Sequence, residues 1–285
     1  MADWLIGHAG TAYAIAFVGG FVLVAAWETL RPLRPASAPT RPRWIANIGL
    51  VVINQTLFQI LLPVVGIGAA WYAQQHDIGL FPTIGMPAAV SFVIGLITLD
   101  LLRWIIHVAM HRMPLLWLLH RVHHSDLDYD CTIGLRFHPI EALLTQAMLV
   151  VFIITLGLSP LTVLVSDVLS IALGYVVHGN VSLPPRWDRW VRKLCVTPDL
   201  HRVHHSVRVE ESQSNFGSVF SCWDRLFGTY RNEPADGQLG MSVGLDDLRD
   251  PGKLGLVRLL CLPVITLSDT VKRALSPEAV QRGPD

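Results

Sequence analysis

The chain has 285 residues, of which 52% are apolar and 15% are charged, with no net charge and a mean hydropathy of +0.45. A soluble globular domain carries about 25% charged residues, so this composition argues against an ordinary soluble domain and indicates a membrane protein. The zero net charge gives no general case for nucleic-acid binding, and the absence of CxxC spacing among the four cysteines excludes a thiolate metal site or a disulfide framework.

Five apolar segments are long enough to cross a bilayer, which requires about 20 mostly apolar residues. They cover residues 11–30, 45–72, 87–111, 140–158 and 161–178. The first lacks a basic flank and a cleavage site, so we expect a retained span rather than a signal peptide. The short link GLSP between the last two predicts a helical hairpin. An alternative with four spans makes this hairpin a shallow re-entrant one and leaves the loops on the same sides.

The positions of arginine and lysine predict the orientation in the membrane. Arg31, Arg34, Arg41 and Arg43 follow the first span, whereas the link after the second span and the GLSP link have no basic residue. Further basic residues follow the third and fifth spans. All of them lie on one side if the N-terminus is outside. We therefore predict an all-α polytopic membrane helical bundle of about four to five spans, with a cytoplasmic helical cap.

The region after residue 180 combines aromatic and basic residues in a way that suits the lipid headgroup level. Trp187, Trp190 and Trp223, with Arg189 and Arg192, either hold a lipid headgroup or serve as structural anchors. The later apolar run LGLVRLLCLPVITL is short and carries an arginine and a proline. We expect it to be interfacial or packed on the core rather than membrane-spanning.

Ten of the twelve histidines lie between residues 107 and 205. The hexapeptide HRVHHS occurs twice, at residues 120–125 and 201–206, and on a helix each copy places its three histidines on one face. His107 and His111, four residues apart, also share a face, while His138 and His178 stand alone. These histidines are His107, His111, His120, His123, His124, His138, His178, His201, His204 and His205. All of them map to the predicted cytoplasmic side.

Eight to ten imidazoles exceed what one ion can bind, since a catalytic zinc takes about three protein ligands. Two ions with four or five nitrogens each would use them. Imidazole suits iron, copper, zinc and nickel, so the ligand type alone leaves the metal open. Ligating histidines usually donate their second N–H to a carboxylate or carbonyl. The expected partners are Asp100, Glu141, Asp167, Asn180 and Asp199, with Arg103 as a structural alternative partner for Asp100.

The order of the motifs HVAMH, HRVHHS, RFHPIE, HGN, HRVHHS and NFGSVFSCWDRLFGTY resembles that of the fatty acid hydroxylase/sterol desaturase superfamily. This resemblance, over residues 87–230, implies a membrane-embedded non-haem di-iron oxygenase that hydroxylates, desaturates or oxidatively cleaves lipids. It carries the ligand role to the three histidine boxes and to His178, with His138 as a further candidate. The related sphingolipid acyl hydroxylases have an extra histidine where this chain has Gly174, so either one iron has an open or water-filled position or His138 completes it.

The resemblance also implies the cofactors and partners. It implies two iron ions, for which zinc can substitute in purified protein, a lipid substrate from the bilayer, O2, and a separate electron-transfer protein or reductase. No nucleic acid is expected. We predict three regions: N-terminal membrane helices and a basic link at 1–86, a catalytic domain at 87–232, and a C-terminal interfacial segment and tail at 233–285.

Two other classes of protein fit some of the same residues. A non-enzymatic metal-binding or metal-transport protein would also use histidine boxes on membrane helices, although a transporter should carry its ligands near the midplane. A bis-histidine haem protein would use His107 and His111 on facing helices. That interpretation leaves both HRVHHS copies unexplained.

Overall fold

The computed structural model describes residues 2–61 and 66–274, and over this part of the chain the fold is all-helical. The α-helices are α1 (Ala2–Ala14), α2 (Gly20–Leu30), α3 (Thr40–Leu61), α4 (Gly66–Gln75), α5 (Leu80–Thr83), α6 (Ala88–Arg112), α7 (Pro114–His124), α8 (Pro139–Leu156), α9 (Pro160–His178), α10 (Pro185–Val191), α11 (Pro198–His204), α12 (Val209–Ser212), α13 (Cys222–Leu226), α14 (Gly237–Gly240) and α15 (Leu256–Ala274). A π-helical turn, Ile15–Gly19, joins α1 to α2, and two 3₁₀ turns lie at Cys131–Leu135 and Pro251–Lys253.

Five candidate membrane spans occur among the described residues, which confirms the predicted number. They are Gly7–Leu30, Thr40–Thr83, Ala88–Arg112, Pro139–Leu156 and Pro160–His178. The second range contains α3, α4 and α5. Large apolar side chains such as Leu23, Val52, Val93 and Val151 point outward and are more than half exposed. An apolar outer surface of this kind is what a lipid environment requires.

The short link between α8 and α9 forms as predicted, because its sequence ends one helix and begins the next. Gly157 ends α8 in the left-handed conformation (φ 68°), and a Cβ there would meet the carbonyl oxygen of Ile78 at 2.5 Å. Ser159 then caps α9 by accepting from the backbone N–H of Thr162, and Pro160 occupies the first turn of α9. The two spans do not pack on each other along their length as a hairpin would, because each packs mainly on other spans, including α4 and α6.

The membrane bundle has an apolar core with an ion pair beside it. Leu99, Ile153 and Val163 belong to a buried cluster from the third, fourth and fifth spans. Next to it, Arg103 donates to Asp167 at 2.7 Å. Charged residues within a span normally face the protein interior and pair with one another. The partner of Arg103 is therefore Asp167, and not Asp100 as the sequence suggested.

The helices outside the five spans are here called the cap. Polar and apolar contacts around α3 and α7 fix the cap to the bundle. Arg136 is fully buried and donates to the carbonyl of Val122 at 2.9 Å, to Ser125 Oγ at 2.8 Å and to Asn47 Oδ1 at 2.6 Å. The C-terminal helix α15 packs on α3 and α7, with Leu259 in the same buried cluster as Val122. This confirms that the late apolar run packs on the core. The polar tail from residue 275 onward lies outside the described residues.

Candidate metal centre

The histidines of the cap and of the adjoining span ends converge on two buried clusters. The first contains five histidines, His107, His111, His120, His124 and His204. The second contains four, His123, His178, His201 and His205. Within each cluster, one nitrogen atom from every ring lies within 4.8 Å of the others. Nine of the ten predicted ligands are thus brought together, in two groups of the size that two ions require.

Each copy of HRVHHS supplies both clusters, in opposite proportions. The first and fifth residues of the first copy, His120 and His124, join the five-histidine cluster, while His123 joins the four-histidine cluster. In the second copy, on α11, His204 joins the five-histidine cluster and its two companions join the other. The sequence therefore predicts the helices correctly, but the expectation that three rings share one face misses that they diverge to two sites.

The nitrogen spacing fits metal coordination. Two nitrogens that each lie about 2.1 Å from one ion are roughly 3.0–3.4 Å apart in tetrahedral or octahedral geometry. The Nε2 atoms of His111 and His124 are 3.1 Å apart, and His178 Nε2 lies 3.0 Å from His201 Nε2 and 3.3 Å from His123 Nε2. Both clusters therefore hold ring nitrogens at the separations that ligands of one ion adopt.

Several ring nitrogens are buried and lack a hydrogen-bond partner. These atoms include His107 Nε2, His120 Nε2, His204 Nε2 and His205 Nε2. Buried polar atoms are almost always paired, and unpaired ones require an explanation such as a metal ion. Imidazole nitrogen is a donor set that transition metals accept readily. The residues present therefore fit the metals that the motifs imply.

The opposite nitrogen of several rings is held by an oxygen acceptor, as the orientation of a metal ligand requires. His120 Nδ1 lies 2.6 Å from Glu141 Oε1, the one expected carboxylate partner that contacts a histidine. Backbone carbonyls serve the others: Phe216 for His107 at 2.8 Å, Ser214 for His204 at 2.8 Å and Gly174 for His178 at 2.6 Å. A backbone carbonyl leaves no signal in the sequence, so these partners could not be predicted.

The remaining expected partners bind elsewhere. Asp100 accepts from the N–H groups of Val219 and Phe220, at 3.0 and 3.2 Å, and from the indole of Trp223 at 2.8 Å. Asp167 accepts from Arg103 and from the hydroxyl of Tyr13. These carboxylates therefore hold elements together instead of orienting imidazoles.

Asn180 and Asp199 also differ from the prediction, because neither accepts a hydrogen bond from a histidine ring in the described structure. The side chain of Asn180 accepts from the backbone N–H of Arg34 at 3.1 Å and donates to the carbonyl of that residue at 2.7 Å, which fixes the basic link after the first span. Asp199 accepts from Ser182 and from Arg202 at 2.8 Å each. Both residues stabilise the loops around the centre.

His138 lies outside both clusters. Its Nδ1 accepts from the backbone N–H of Ile140 at 3.2 Å, so the ring caps α8, and its Nε2 lies 3.1 Å from the carbonyl oxygen of Leu260 on α15. Both ring nitrogens are used by these contacts. His138 is therefore a helix cap that also contacts the C-terminal helix, and we leave it out of the ligand set.

Asp224, in the segment WDRLFGT, supports the centre in a way that the sequence analysis missed. Its carboxylate is buried and accepts from the N–H groups of Phe216 and Gly217 at 2.9 Å, from Trp104 at 3.0 Å and from Thr229 at 2.7 Å. These bonds hold the segment whose Phe216 carbonyl accepts from His107. A buried carboxylate that accepts four hydrogen bonds fixes the segments that donate them. The sequence signal for this role was the position of Asp224 in the motif WDRLFGT.

The arginine of each HRVHHS copy forms hydrogen bonds to other parts of the protein. Arg121 donates to Asp247 at 2.6 Å, while the fully buried Arg202 donates to the carbonyl of Val181 at 2.6 Å and to Asp199. The guanidinium of Arg202 also lies 5.1 Å from the ring centroid of Tyr129. Each arginine thus anchors its histidine helix to a neighbouring segment.

Burial keeps the cap histidines in the neutral form that binds metals. Desolvation lowers the pKa of His204 from 6.5 to about 3, against the opposing effect of its bond to the Ser214 carbonyl. Desolvation, together with the neighbouring imidazoles, also lowers the pKa of His123, His201 and His205 well below the usual value. At neutral pH these rings can therefore bind metal without first losing a proton.

The fold and the centre together define an integral membrane helical bundle with a histidine-rich metal-binding centre at one end of its spans. The sequence profile of the fatty acid hydroxylase family matches residues 92–229, a range that contains all nine clustered histidines. Over this part of its length the chain is similar to that family. No solved structure gives a significant match.

Curated relatives of the chain are lipid hydroxylases and monooxygenases by name. The chain is 31% identical over 149 residues to ornithine lipid hydroxylase OlsE of Rhizobium tropici, covering 52% of this chain and 44% of that protein. It is 26% identical over 138 residues to alkylglycerol monooxygenase of Homo sapiens, covering 45% and 27%. It is 26% identical over 157 residues to cholesterol 25-hydroxylase of Rattus norvegicus, covering 54% and 50%. The aligned region thus spans about half or less of each of these relatives.

Proposed function

We propose that the protein is a membrane-embedded non-haem di-iron oxygenase that hydroxylates or desaturates a lipid with O2 and electrons from a separate donor. The observation that carries the proposal is the convergence of nine histidines on two adjacent buried clusters of five and four rings. The names of the relatives favour hydroxylation. In that reaction one oxygen atom enters a C–H bond, and two electrons and two protons reduce the other to water.

Bound iron would supply the activation of O2 and the attack on an unreactive C–H bond, while the protein supplies position and environment. The five-histidine and four-histidine clusters would each hold one ion. Glu141 orients the ring of His120, and the carbonyls of Phe216, Ser214 and Gly174 orient three further rings. The surrounding apolar spans exclude water from the reacting carbon.

The two competing classes fit the geometry less well. His107 and His111 lie on one helix and in the same five-histidine cluster, so they do not face each other across a haem. A transporter would place its ligands near the bilayer midplane, whereas these clusters lie at the ends of α6 and α9 and in the cap. We further propose that this end is cytoplasmic, because the basic link after the first span lies on the same side.

Metal analysis and lipid analysis of the purified protein test the proposal. We expect about two iron ions per chain, no Soret band, and a hydroxylated or desaturated lipid in cells that contain the protein but not in cells without it. His204→Ala should abolish the product while the protein stays in the membrane, and His76→Ala, outside both clusters, should not. Persistence of the product in the His204 variant would refute the proposal.

A further inference from the structure

A cavity of about 250 Å³ borders both histidine clusters inside the membrane bundle. Five of the nine clustered histidines line it, His107, His120, His123, His178 and His201. The rest of its wall comes mainly from α6, α8 and α9, including the apolar side chains of Ile106, Met110, Leu149 and Val177. A ligand in this cavity would therefore touch both clusters.

The cavity extends from the clusters toward the middle of the spans. Ser170 precedes His178 by eight residues on α9, and Leu149 follows Glu141 by eight residues on α8, and all four line the cavity. Eight residues of α-helix correspond to about 12 Å. The cavity thus has an end at the histidines and a deeper end about two helical turns away.

Three hydroxyl groups that line the cavity lack strong protein partners. Threonines elsewhere in the spans, such as Thr98 and Thr155, donate to the carbonyl four residues earlier. Within the described part of the chain, the hydroxyl of Thr145 makes no hydrogen bond, and the hydroxyls of Ser170 and Ser218 bond only to each other, at 3.5 Å. These hydroxyls therefore remain available to a ligand oxygen.

The deeper end of the cavity carries no unbalanced charge. Arg103 lines it, but its guanidinium is paired with Asp167 at 2.7 Å and also donates to Ser166 at 2.7 Å. Tyr13 occupies the other carboxylate oxygen of Asp167. Because burial of an unpaired charge is costly, this end does not suit a phosphate or an ammonium group.

We propose that the cavity binds a lipid chain by a neutral oxygen function, an alcohol, ether or ester, held by Thr145, Ser170 and Ser218. The hydrocarbon beyond that oxygen lies along the apolar wall and reaches the clusters. Since the hydroxyls of Thr145 and Ser170 lie one to two helical turns from the histidine end, about 6–12 Å along the helix axes, the reacting carbon is several bonds from the oxygen. This assignment of the reacting end rests on the proposed function.

Gly174 provides the room for such a chain next to the four-histidine cluster. It lines the cavity one turn before His178, and a Cβ at this position would meet no atom within 4 Å. A larger side chain at Gly174 is therefore accepted by the fold but fills the cavity. Residue 174 therefore helps to determine which lipid chains enter the cavity.

Binding of three probes to the metal-loaded protein in nanodiscs tests the proposal without turnover. The probes are 1-hexadecanol, hexadecane and hexadecyl phosphate, and native mass spectrometry measures their competition for the protein. We expect the alcohol to bind about tenfold more tightly than the alkane or the phosphate, because one or two hydrogen bonds change affinity by this factor. Equal binding of alcohol and alkane, or tighter binding of the phosphate, would overturn the proposal.

Variants identify the cavity as the place of binding. Thr145→Val combined with Ser170→Ala and Ser218→Ala should bring alcohol and alkane to within about twofold of each other. Ser91→Ala, in a separate pocket, should keep the wild-type preference. Gly174→Leu should weaken the binding of all three probes, while the melting temperature and the metal content stay at the wild-type level. A preference that survives the triple variant would place the oxygen elsewhere.

The outcome is distinguishable from a failure of the proposed function. If the probes bind as expected but no oxidised lipid forms, the cavity assignment stands and the oxygenase activity fails. If an oxidised lipid forms with the new hydroxyl on the carbon that bears the original oxygen, the activity stands and the placement of the ligand is wrong.

Discussion

His123 and His204 occupy the same position in the two copies of HRVHHS, yet they belong to different clusters. His123 lies with the four-histidine cluster and His204 with the five-histidine cluster, and in each copy the two companion histidines lie with the opposite cluster. Each helix thus contributes two rings to one proposed ion and one ring to the other. This reciprocal arrangement explains why HRVHHS occurs twice, since each of the two helices contributes ligands to both clusters.

The exchange predicts that equivalent substitutions affect different ions. His204→Ala should deplete the metal of the five-histidine cluster and His123→Ala that of the four-histidine cluster, so that each lowers the metal content from about two ions per chain toward one. Elemental analysis measures the loss, and Mössbauer spectra of ⁵⁷Fe-loaded protein should show a different site remaining in each variant. Identical residual spectra would contradict the separate assignment. His76→Ala is the matched control and should retain both ions.

Glu141 should contribute to metal affinity through the ring of His120. Removing a carboxylate that orients a ligating histidine typically lowers metal affinity by about 10–100-fold. We expect Glu141→Ala to show a loss of this size in chelator competition, and Glu141→Gln a smaller one because the amide oxygen still accepts from Nδ1. An equal loss in both variants would show that the charge of Glu141, and not its position as an acceptor, matters.

Local patterns allowed the spans and the histidine helices to be predicted, because helical spacing and apolar length are properties of neighbouring residues. The partners of the rings depend on tertiary contacts and were mostly missed. Asp100 shares a helix face with His107, but seven residues separate them by about 10 Å along the axis. It instead binds the backbone N–H of Val219. Helical periodicity placed Asp100 on the correct face of α6, but it could not show how far along the helix the histidine cluster lies.

Asp224 should be essential for stability although it touches no histidine. Asp224→Ala leaves four buried donors without their acceptor, and losses of this kind cost about 3 kcal/mol or more. We expect a lower melting temperature and weaker metal retention, because the Phe216 carbonyl loses its support. The matched control is Asp236→Ala, which removes an exposed pair with Arg208 and should leave the melting temperature at the wild-type value. A wild-type melting temperature in Asp224→Ala would contradict this role.

His138 offers a direct comparison between a cap and a ligand. As a cap of α8, its replacement by Ala should lower the unfolding free energy by about 0.5–2 kcal/mol and leave two ions per chain. His138→Asn should recover part of this loss, since asparagine is a favoured cap residue. Thermal melting and elemental analysis of the two variants separate the roles. Loss of an ion in His138→Ala would return this residue to the ligand set.

The neutral buried histidines should make the metal-free protein sensitive to acid. The pKa of His204 is about 3 in the folded chain and 6.5 without burial, so below about pH 6.5 the unfolded chain binds a proton that the folded chain does not. Stability is therefore full above that pH and falls as the pH decreases toward 3, by at most about 1.4 kcal/mol per pH unit for each such group. Thermal melting of the chelated protein at pH 7.5 and 5.5 measures this, and His204→Gln should reduce the difference. A metal-free protein that is equally stable at both values, or more stable at pH 5.5, would show that these rings are protonated in the fold.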